Sequence, residues 1–253
     1  GIAIPTNLTF ASNHVIEELP PTNLWGTAFV TVPLATQTKG DTFRYLASVD
    51  NTRVTINGSL VATLARGQLL EQIQTEPSLV TADQPILVAQ YSNSAQFSQP
   101  TGPSFPAVNL DPSMVLVPPF EQFGTSYTVT APLQHFPENF INIAVPTSVL
   151  QTGAVLLDGN PIPSRVFTAI GSSGFSGAQI DVGVGAHTLT SGMPFGVWSY
   201  GFASYDAYSY PGGICLATGV QNGTIPLSPK TASLQIPRQL ALTATYKASC
   251  GNP

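Results

Sequence analysis

Charged residues are scarce in this sequence, and their scarcity narrows the functions it can have. Asp, Glu, Lys and Arg make up 8% of the chain, against roughly 25% in typical soluble domains. The eight Lys and Arg residues are scattered, so no basic stripe is available to neutralise nucleic-acid phosphates. Solubility must therefore depend on neutral polar side chains, which is typical of secreted and cell-surface β proteins rather than of intracellular enzymes.

Long apolar runs and cysteine-rich motifs are also missing. No run reaches the roughly 18 apolar residues of a membrane-spanning helix, so we expect no membrane insertion. The two cysteines, Cys215 and Cys250, have a spacing that fits no metal motif. In an oxidising compartment they can close one disulfide in the C-terminal segment. The alternative is two unpaired thiols whose partners lie outside this chain.

Residues for catalysis or metal binding are few and far apart. His14, His135 and His187 have no second ligand at short spacing, so we expect no metal centre and no cofactor. The stretch 171–177 (GSSGFSG) only superficially resembles G-x-S-x-G, because no helical pattern follows it. The favoured interpretation is a Gly/Ser-rich loop beside a strand.

Two further chemistries stay open as secondary alternatives. Acidic residues lie at several predicted strand ends, which leaves structural calcium possible although no D-x-D-x-D-G loop is present. A glycosidase that pairs two carboxylates in space is disfavoured, because so few acids are available and most lie at predicted turns. We therefore expect a chain that is not an enzyme.

The chain is rich in short β-type runs that are interrupted by turn residues. There are 23 prolines and 22 glycines, and helical periodicity is almost absent. Short β-branched or aromatic runs between turn signals predict a sandwich or barrel. The predicted strands are TAFVTV (27–32), TRVTI (52–56), PILVAQY (85–91), MVLVP (114–118), SYTVT (126–130), FINIAV (140–145), AVLLD (154–158), AQIDV (178–182) and FGVWSY (195–200).

Three landmarks recur in the same order in the two halves of the chain. Each half has an aromatic residue before Gly-Thr and an alternating strand, then an Asn-Gly or Asp-Gly hairpin signal, then a Pro-led strand ending near Tyr. The pairs are LWGTAFVTVPL (24–34) with QFGTSYTVTAPL (122–133), NTRVTINGSLV (51–61) with TGAVLLDGNPI (152–162), and ADQPILVAQYS (82–92) with SGMPFGVWSYG (191–201). This order predicts one supersecondary unit used twice.

The predicted fold is therefore all-β, with two related tandem β-sandwich-like halves, jelly-roll or Ig-like, packed together. A unit of roughly 70–80 residues is small for an independent sandwich, so the halves should pack on each other. We predict a first half at residues 1–112, a second at 113–213, and a short C-terminal β tail at 214–253. The Ser-, Pro- and Gly-rich connector at 92–112 should be an exposed loop.

An aromatic cluster in the second half supplies the candidate binding residues. Alternation places Trp198, Tyr200 and Phe202 on one face, which we interpret as core. The following loop contains further tyrosines beside Pro and Gly, and tyrosine in a rigid loop is a common contact residue. The candidate ligand-binding residues are Tyr205, Asp206, Tyr208 and Tyr210.

Three Asn-x-Ser/Thr sequons begin at Asn7, Asn57 and Asn222. They can carry glycans if the protein is a eukaryotic secreted one, and have no such meaning in a bacterial protein. Asn57 is also a turn residue in either case.

Long ordered segments of the chain resemble the N-terminal domain of IgGFc-binding proteins, which is also found in many bacterial surface proteins. The segments are HVIEELPPTNLWGTAFVTVPL (14–34), QPILVAQYS (84–92), MVLVPPFEQFGTSYTVTAP (114–132), NFINIAVP (139–146), IGSSGFSGAQI (170–180), GAHTL (185–189) and PFGVWSYGFASYDAYSYPGG (194–213). The resemblance implies an extracellular β-rich domain of a longer surface protein, without catalytic residues to transfer. It identifies no residue for antibody contact. The tail at 227–246 is similar to the opening of a bacterial Ig-like repeat.

Two hypotheses of function follow. The first is an extracellular adhesion or recognition module that binds a protein or glycan at a cell or mucus surface, through loops on a rigid scaffold. The second is a structural subunit of a fibre, sheath or matrix, in which residues 1–13 add as a strand to the open edge of another copy. A secreted hydrolase is disfavoured because no catalytic arrangement was found.

Overall fold

The computed structural model describes residues 4–5, 13–98 and 110–214. Helix is confined there to two short segments, α1 (Ala95–Ser98) and α2 (Val149–Thr152), and to three single 3₁₀ turns. The strands of the first half are β1 (Gly26–Thr31), β2 (Asp41–Ala47), β3 (Thr52–Ile56), β4 (Ser59–Leu64), β5 (Leu69–Gln74), β6 (Ser78–Tyr91) and β7 (Met114–Val117). Those of the second half are β8 (Gly124–Ala131), β9 (Glu138–Pro146), β10 (Leu156–Leu157), β11 (Asn160–Pro161), β12 (Thr168–Ala169), β13 (Phe175–Asp181), β14 (Gly185–Ala203) and β15 (Asp206–Pro211).

The long strand β6 joins the two layers of the first half. Its N-terminal part pairs with β1 and β3, and its C-terminal part pairs with β2 and β7, all antiparallel. The register against β1 breaks between Thr81, opposite Ala28, and Ile86, opposite Gly26. Pro85 lies at this break, where a residue without a backbone N–H costs no ladder hydrogen bond. One bent strand thus contributes to both layers of a sandwich.

The second half repeats this arrangement around β14. The N-terminal part of β14 pairs with β8 and β10, and its C-terminal part pairs with β9 and β15. Its register against β8 also breaks, between Thr190 and Phe195, and Pro194 precedes Phe195 as Pro85 precedes Ile86. The pairings of the two sheets therefore correspond, with β14 in the place of β6. The prediction of an all-β chain with two packed sandwich-like halves is confirmed.

Both predicted glycine hairpins are present. Asn57-Gly58 joins β3 to β4 with φ of 50° and 82°, and Asp158-Gly159 joins β10 to β11 with φ of 51° and 80°. Two consecutive positive φ values define the type I′ turn, whose twist matches the twist of the flanking strands. Glycine at the second position allows this conformation without steric cost.

Corresponding positions fill the two cores. Each half has a cluster of buried apolar side chains between its layers, and the strand pairing places members of the two clusters in matching positions. The pairs are Phe29 with Tyr127, Phe43 with Ile141, Val54 with Val155, Ile86 with Phe195, and Val88 with Val197. Burying each such side chain contributes about 1.5–3 kcal/mol.

The halves pack against each other through an aromatic contact. Trp198 of β14 and Phe123 belong to the same buried cluster as the first-half core. Their rings meet edge to face at 6.1 Å. The Trp198 indole N–H donates to the carbonyl of Leu116 in β7 at 3.2 Å. As predicted, Trp198, Tyr200 and Phe202 are buried on one face.

A polar seam also links the halves. Asn142 Nδ2 of β9 donates to the carbonyls of Val32 and Pro33 at 3.0 and 2.9 Å. The Tyr200 hydroxyl donates to Asn142 Oδ1 at 2.7 Å and accepts from Ala35 N–H at 2.8 Å. Side chains of the second half thus pair with backbone groups of the segment after β1, where Gln90 of the first half also donates to the Val32 carbonyl at 2.9 Å.

The chain course differs from expectation around the connector. The predicted division after residue 112 places β7 in the second half, whereas β7 pairs with β6 of the first sheet. The connector at 92–112 was expected to be exposed, but its described ends are buried, from Ser92 to Ala95 and from Leu110 to Ser113. The buried Ser92 hydroxyl donates to the carbonyl of Asp111 at 2.7 Å, which joins the two ends of the connector. The division into domains remains a prediction, and most of the predicted tail lies outside the described residues.

Within the described ranges, the helices fall short of the length and apolar character that crossing a bilayer requires.

Candidate functional site

The β14–β15 turn carries two of the four candidate ligand-binding residues at the surface. Ala203 pairs with Asp206, so Ser204 and Tyr205 form the turn between them. Tyr205 has φ of 55°, a left-handed conformation uncommon for residues other than glycine. The exposed Tyr205 side chain thus belongs to a turn that strand pairing holds on both sides.

Asp206 connects three separate parts of the chain. Its Oδ2 lies 3.0 Å from Nε2 of His135, in the loop between β8 and β9. Its Oδ1 accepts from Nδ2 of Asn13 at 3.4 Å and from its neighbour Ala207 N–H at 2.9 Å. The side chains of both His135 and Asp206 remain partly open to solvent, so the group can still meet a partner.

Exposed apolar side chains lie close along the sequence to the members of this polar group. Ile16, Leu133 and Tyr205 are 76%, 74% and 56% exposed, the highest values among large hydrophobic residues in the described chain. Each lies within three residues of Asn13, His135 or Asp206, which is at most roughly 11 Å of backbone. We call these six residues the Asp206 patch: Asn13, Ile16, Leu133, His135, Tyr205 and Asp206.

Tyr208 and Tyr210 are half-buried, and their hydroxyls bond to the protein itself. The Tyr208 hydroxyl donates to Asn139 Oδ1 at 2.9 Å, and burial raises the pKa of Tyr208 to about 12. The Tyr210 hydroxyl donates to the Thr130 carbonyl and accepts from the Thr130 N–H, both at 2.7 Å. Tyr210 therefore ties β15 to the edge of β8 across the open side of the second sandwich.

A row of aromatic rings packs against His135 of the patch. The rings of His135 and Phe136 meet edge to face at 5.0 Å, and those of Phe136 and Tyr208 at 4.9 Å. Tyr208 in turn stacks on Tyr210 at 6.1 Å. Such contacts restrict ring motion, so the His135 side of the patch has a rigid base.

The charge beside the patch changes with pH. Asp111 is buried at the end of the connector, and its burial together with the charge of Asp206 raises the pKa of Asp111 to about 6. Above that pH, the carboxyl group of Asp111 carries negative charge. The surroundings of the Asp206 patch therefore gain negative charge as pH rises through 6.

The histidine and serines that the sequence offered as catalytic candidates make hydrogen bonds within the fold. Both ring nitrogens of His187 face oxygen acceptors, Asp158 Oδ2 at 2.8 Å and the Gly183 carbonyl at 2.8 Å. Ser173 Oγ accepts from the Phe175 N–H, and Ser176 Oγ bonds the Thr147 hydroxyl. Asp158, the first residue of the predicted Asp-Gly hairpin signal, also pairs with this histidine. The contacts fit the interpretation of a Gly/Ser-rich loop beside a strand.

Metal ligands do not assemble in the part of the chain that the structure describes. No group of three or more His, Cys, Asp or Glu comes together there in a way that could hold an ion. The calcium alternative thus has no candidate ligand set among these residues.

The remaining sequence candidates fall in two places. Asn57 is exposed in its hairpin turn, where its side chain accepts from the Leu79 N–H at 2.9 Å and donates to Ser78 Oγ at 3.3 Å. The cysteines Cys215 and Cys250 and the sequons at Asn7 and Asn222 lie outside the described residues.

Sequence reasoning missed Asn13, Ile16, Leu133 and His135. They belong to two stretches without strand periodicity, and only the folded chain brings Asn13 and His135 to Asp206. The one available signal was that Ile16 and Leu133 are apolar residues in largely polar, Pro-containing stretches. That pattern is too common to select a site.

Comparisons with known proteins agree with the resemblance seen in the sequence. Residues 2–201 match the family described as IgGFc binding protein. The human IgGFc-binding protein is 27% identical over 234 residues, which cover 88% of this chain and 4% of that protein. The chain therefore spans a small fraction of this relative's length.

Among solved structures, an anti-sigma factor domain-containing protein from Clostridium clariflavum aligns with 74% of this chain and 82% of its own, at 12% identity. The TM-score is 0.21, and so weak a likeness carries no structural argument. The family match, in contrast, extends over both sandwich-like halves of the chain. This chain belongs to the IgGFc binding protein family.

Proposed function

We propose that this chain is an extracellular, non-catalytic recognition module that binds its partner through the Asp206 patch. The observation that carries the proposal is that Ile16, Leu133 and Tyr205, the most exposed large apolar residues of the described chain, each lie within three residues of a member of the Asp206 contact group. Exposed apolar residues gathered at one place, with polar groups among them, mark interaction sites. Extracellular location is part of the proposal and is supported by the family and by the low charge.

The chemistry of the patch favours a protein partner over a glycan. Ile16 and Leu133 are aliphatic, and aliphatic side chains gain most by excluding water from another apolar surface. Tyr205 adds a large ring at small entropy cost, because its turn is fixed by the pairing of Ala203 with Asp206. Asp206 then offers a carboxylate to a basic or hydrogen-bond-donating group at the centre of the interface.

The name of the human relative makes one partner worth testing directly. That protein is described as binding the Fc part of immunoglobulin G. The test therefore measures binding of this chain to purified Fc fragment, to mucin glycoprotein and to a glycan array. The glycan array separates the two partner classes that the sequence left open.

The surface is tested with single substitutions. Ile16→Ser, Leu133→Ser and Tyr205→Ser should each weaken binding to the recognised probe at least about five-fold, without change in the unfolding midpoint. Leu60→Ser is the matched control, because Leu60 is also strongly exposed but lies on β4. Equal affinities for all four variants and the unmodified chain would refute the assigned surface, and absence of binding to every probe would refute the recognition proposal.

The alternative of a structural subunit has less support. Its assembly would use residues 1–13 as an added strand, yet Ile4 is buried against Ala89, Tyr91 and Leu116 of its own chain. The Ile4 carbonyl accepts from the Ser94 N–H at 2.9 Å. The described part of this segment thus packs within one molecule.

A further inference from the structure

The two hairpin turns are attached to the long strands by corresponding contacts. In the first half, the Asn57 N–H donates to the Leu79 carbonyl at 2.8 Å, and the Leu79 N–H donates to Asn57 Oδ1 at 2.9 Å. In the second half, the Asp158 N–H donates to the Thr188 carbonyl at 2.8 Å, and the Thr188 N–H donates to Asp158 Oδ1 at 2.8 Å. The turn residue is fixed to β6 and β14 in the same way.

The third contact of each turn differs in chemistry. Asn57 Nδ2 donates to Ser78 Oγ, which is a hydrogen bond between neutral groups. At the corresponding place, Asp158 Oδ2 faces His187 Nδ1 at 2.8 Å. The second half thus uses an ionisable pair where the first half uses a neutral one.

The position of His187 requires a proton on each ring nitrogen. Its Nδ1 faces the Asp158 carboxylate, and its Nε2 faces the Gly183 carbonyl at 2.8 Å. Neither oxygen can donate when Asp158 is ionised, so both bonds form only with the imidazolium. A neutral imidazole must give up one of them.

Among the described residues, the surroundings supply no other ionisable partner. Opposite His187, β8 contributes Val129, with Thr128 and Thr130 on either side. The turn contributes Asp158, and the connection before β14 contributes the Gly183 carbonyl. Asp181, at the end of β13, is the nearest other carboxylate along the chain, and it is not among the groups that shift the pKa of His187.

The protonation behaviour agrees with this geometry. Partial burial lowers the pKa of His187, but the hydrogen bonds to Asp158 and Gly183 outweigh it, so that the pKa is raised above 6.5. The His187 and Thr188 hydrogen bonds lower the pKa of Asp158. Stability from a raised histidine pKa is present below 6.5 and lost as pH rises through the folded value. Stability from the lowered Asp158 pKa is lost only in acid.

We propose that Asp158 and His187 form a proton-dependent clamp that holds the β10–β11 hairpin on β14 and loosens as pH rises. The hairpin flanks the second core, since Val155 precedes β10, Ile162 follows β11, and both pack with Leu189 of β14. Loosening the clamp therefore increases opening at the edge of the second sandwich. The first-half hairpin, held by Asn57 and Ser78, stays unaffected.

Hydrogen exchange of the unmodified chain tests the clamp against an internal control. The amides of Asp158, Ile162 and Thr188 report on the second hairpin, and those of Asn57 and Leu79 on the first. Protection, corrected for intrinsic exchange rates, should fall about five-fold further in the second hairpin than in the first between about pH 5.5 and about pH 8.5. The comparison cancels any change in overall stability, because such a change affects both hairpins. An equal fall in both hairpins, or no fall in either, overturns the proposal.

A double substitution transfers the neutral pair to the second half. Asp158→Asn with His187→Ser reproduces the chemistry of Asn57 and Ser78, and the protection of the two hairpins should then change equally with pH over the same interval. A variant that folds and keeps the larger fall in the second hairpin overturns the assignment to this pair. Because this hairpin contains no residue of the Asp206 patch, loss of the clamp leaves binding through the patch intact.

Discussion

At the scale of single residues, Asp41 fixes the first-half segment that contacts the second half. Its carboxyl group is fully buried. Oδ2 accepts from the Leu34 N–H at 2.6 Å and from Gln90 Nε2 at 2.7 Å, while Oδ1 is buried without a partner. Burial outweighs these two bonds and raises the pKa of Asp41 to about 8. A carboxyl group that is protonated at neutral pH therefore organises the segment after β1.

The first prediction concerns the pH dependence of stability at this residue. A folded pKa raised from 3.8 to about 8 gives stability that is present below pH 4 and is lost as pH rises toward 8. Asp41→Asn removes this loss, so the variant should gain on the unmodified chain by up to about 1.4 kcal/mol per pH unit across that interval. Urea unfolding at several pH values measures it. A constant difference between the two proteins would contradict the prediction.

Residue-scale reasoning from sequence succeeded where local pattern decides and failed where tertiary contacts decide. Alternation along β14 placed Trp198, Tyr200 and Phe202 in the core, as found. Nothing in the sequence placed Tyr208 and Tyr210 against Asn139 and Thr130, because those contacts depend on how β15 closes the second sandwich. The same limit hid the contacts of Asp206.

At the scale of elements, the two hairpins and the two long bent strands define each half. The Asn-Gly and Asp-Gly signals predicted both turns, since few other dipeptides tolerate two positive φ values. The Pro-led strands were also predicted, but not that each continues an earlier strand into the second layer. A proline normally argues for the start of a strand, and here it marks a bend within one.

The second prediction compares the two turn glycines. Gly58 and Gly159 have φ of 82° and 80°, and a Cβ added at either would meet no atom within 4 Å. Gly58→Ala and Gly159→Ala should therefore each cost about 1 kcal/mol of unfolding free energy, entirely from the backbone conformation. Thermal or urea unfolding of the two variants measures it. A neutral effect would contradict the cost assigned to the backbone conformation. Clearly unequal costs would contradict the view that the two turns are equivalent.

At the scale of the whole molecule, the contact between the halves is one-sided. Val30 and Val32, at the end of β1 and just after it, are buried, and Val32 approaches Gly177 of the second half, where an added Cβ would lie 2.8 Å from it. The corresponding residues of β8 are Thr128 and Thr130, which are exposed. In the first half this face is apolar and contacts the second half. The corresponding face of the second half, where a third unit would have to dock, is therefore polar.

This asymmetry favours a closed pair over an open stack. Repeating one contact head to tail generates filaments, and repeat arrays end where a polar face replaces the apolar one. Thr128 and Thr130 supply such a face. The prediction of packed halves came from the size of each unit, whereas the end of the stack follows from the fold, which buries this face of β1 and exposes the corresponding face of β8.

The central claim, a recognition module rather than an assembling subunit, is tested most directly by the molar mass in solution. Light scattering over a concentration series should give a constant 26.5 kDa, the mass of one chain, with the Asp206 patch left open for a different protein. Mass that rises with concentration, or filaments in purified material, would contradict the account and make the structural-subunit hypothesis the better one.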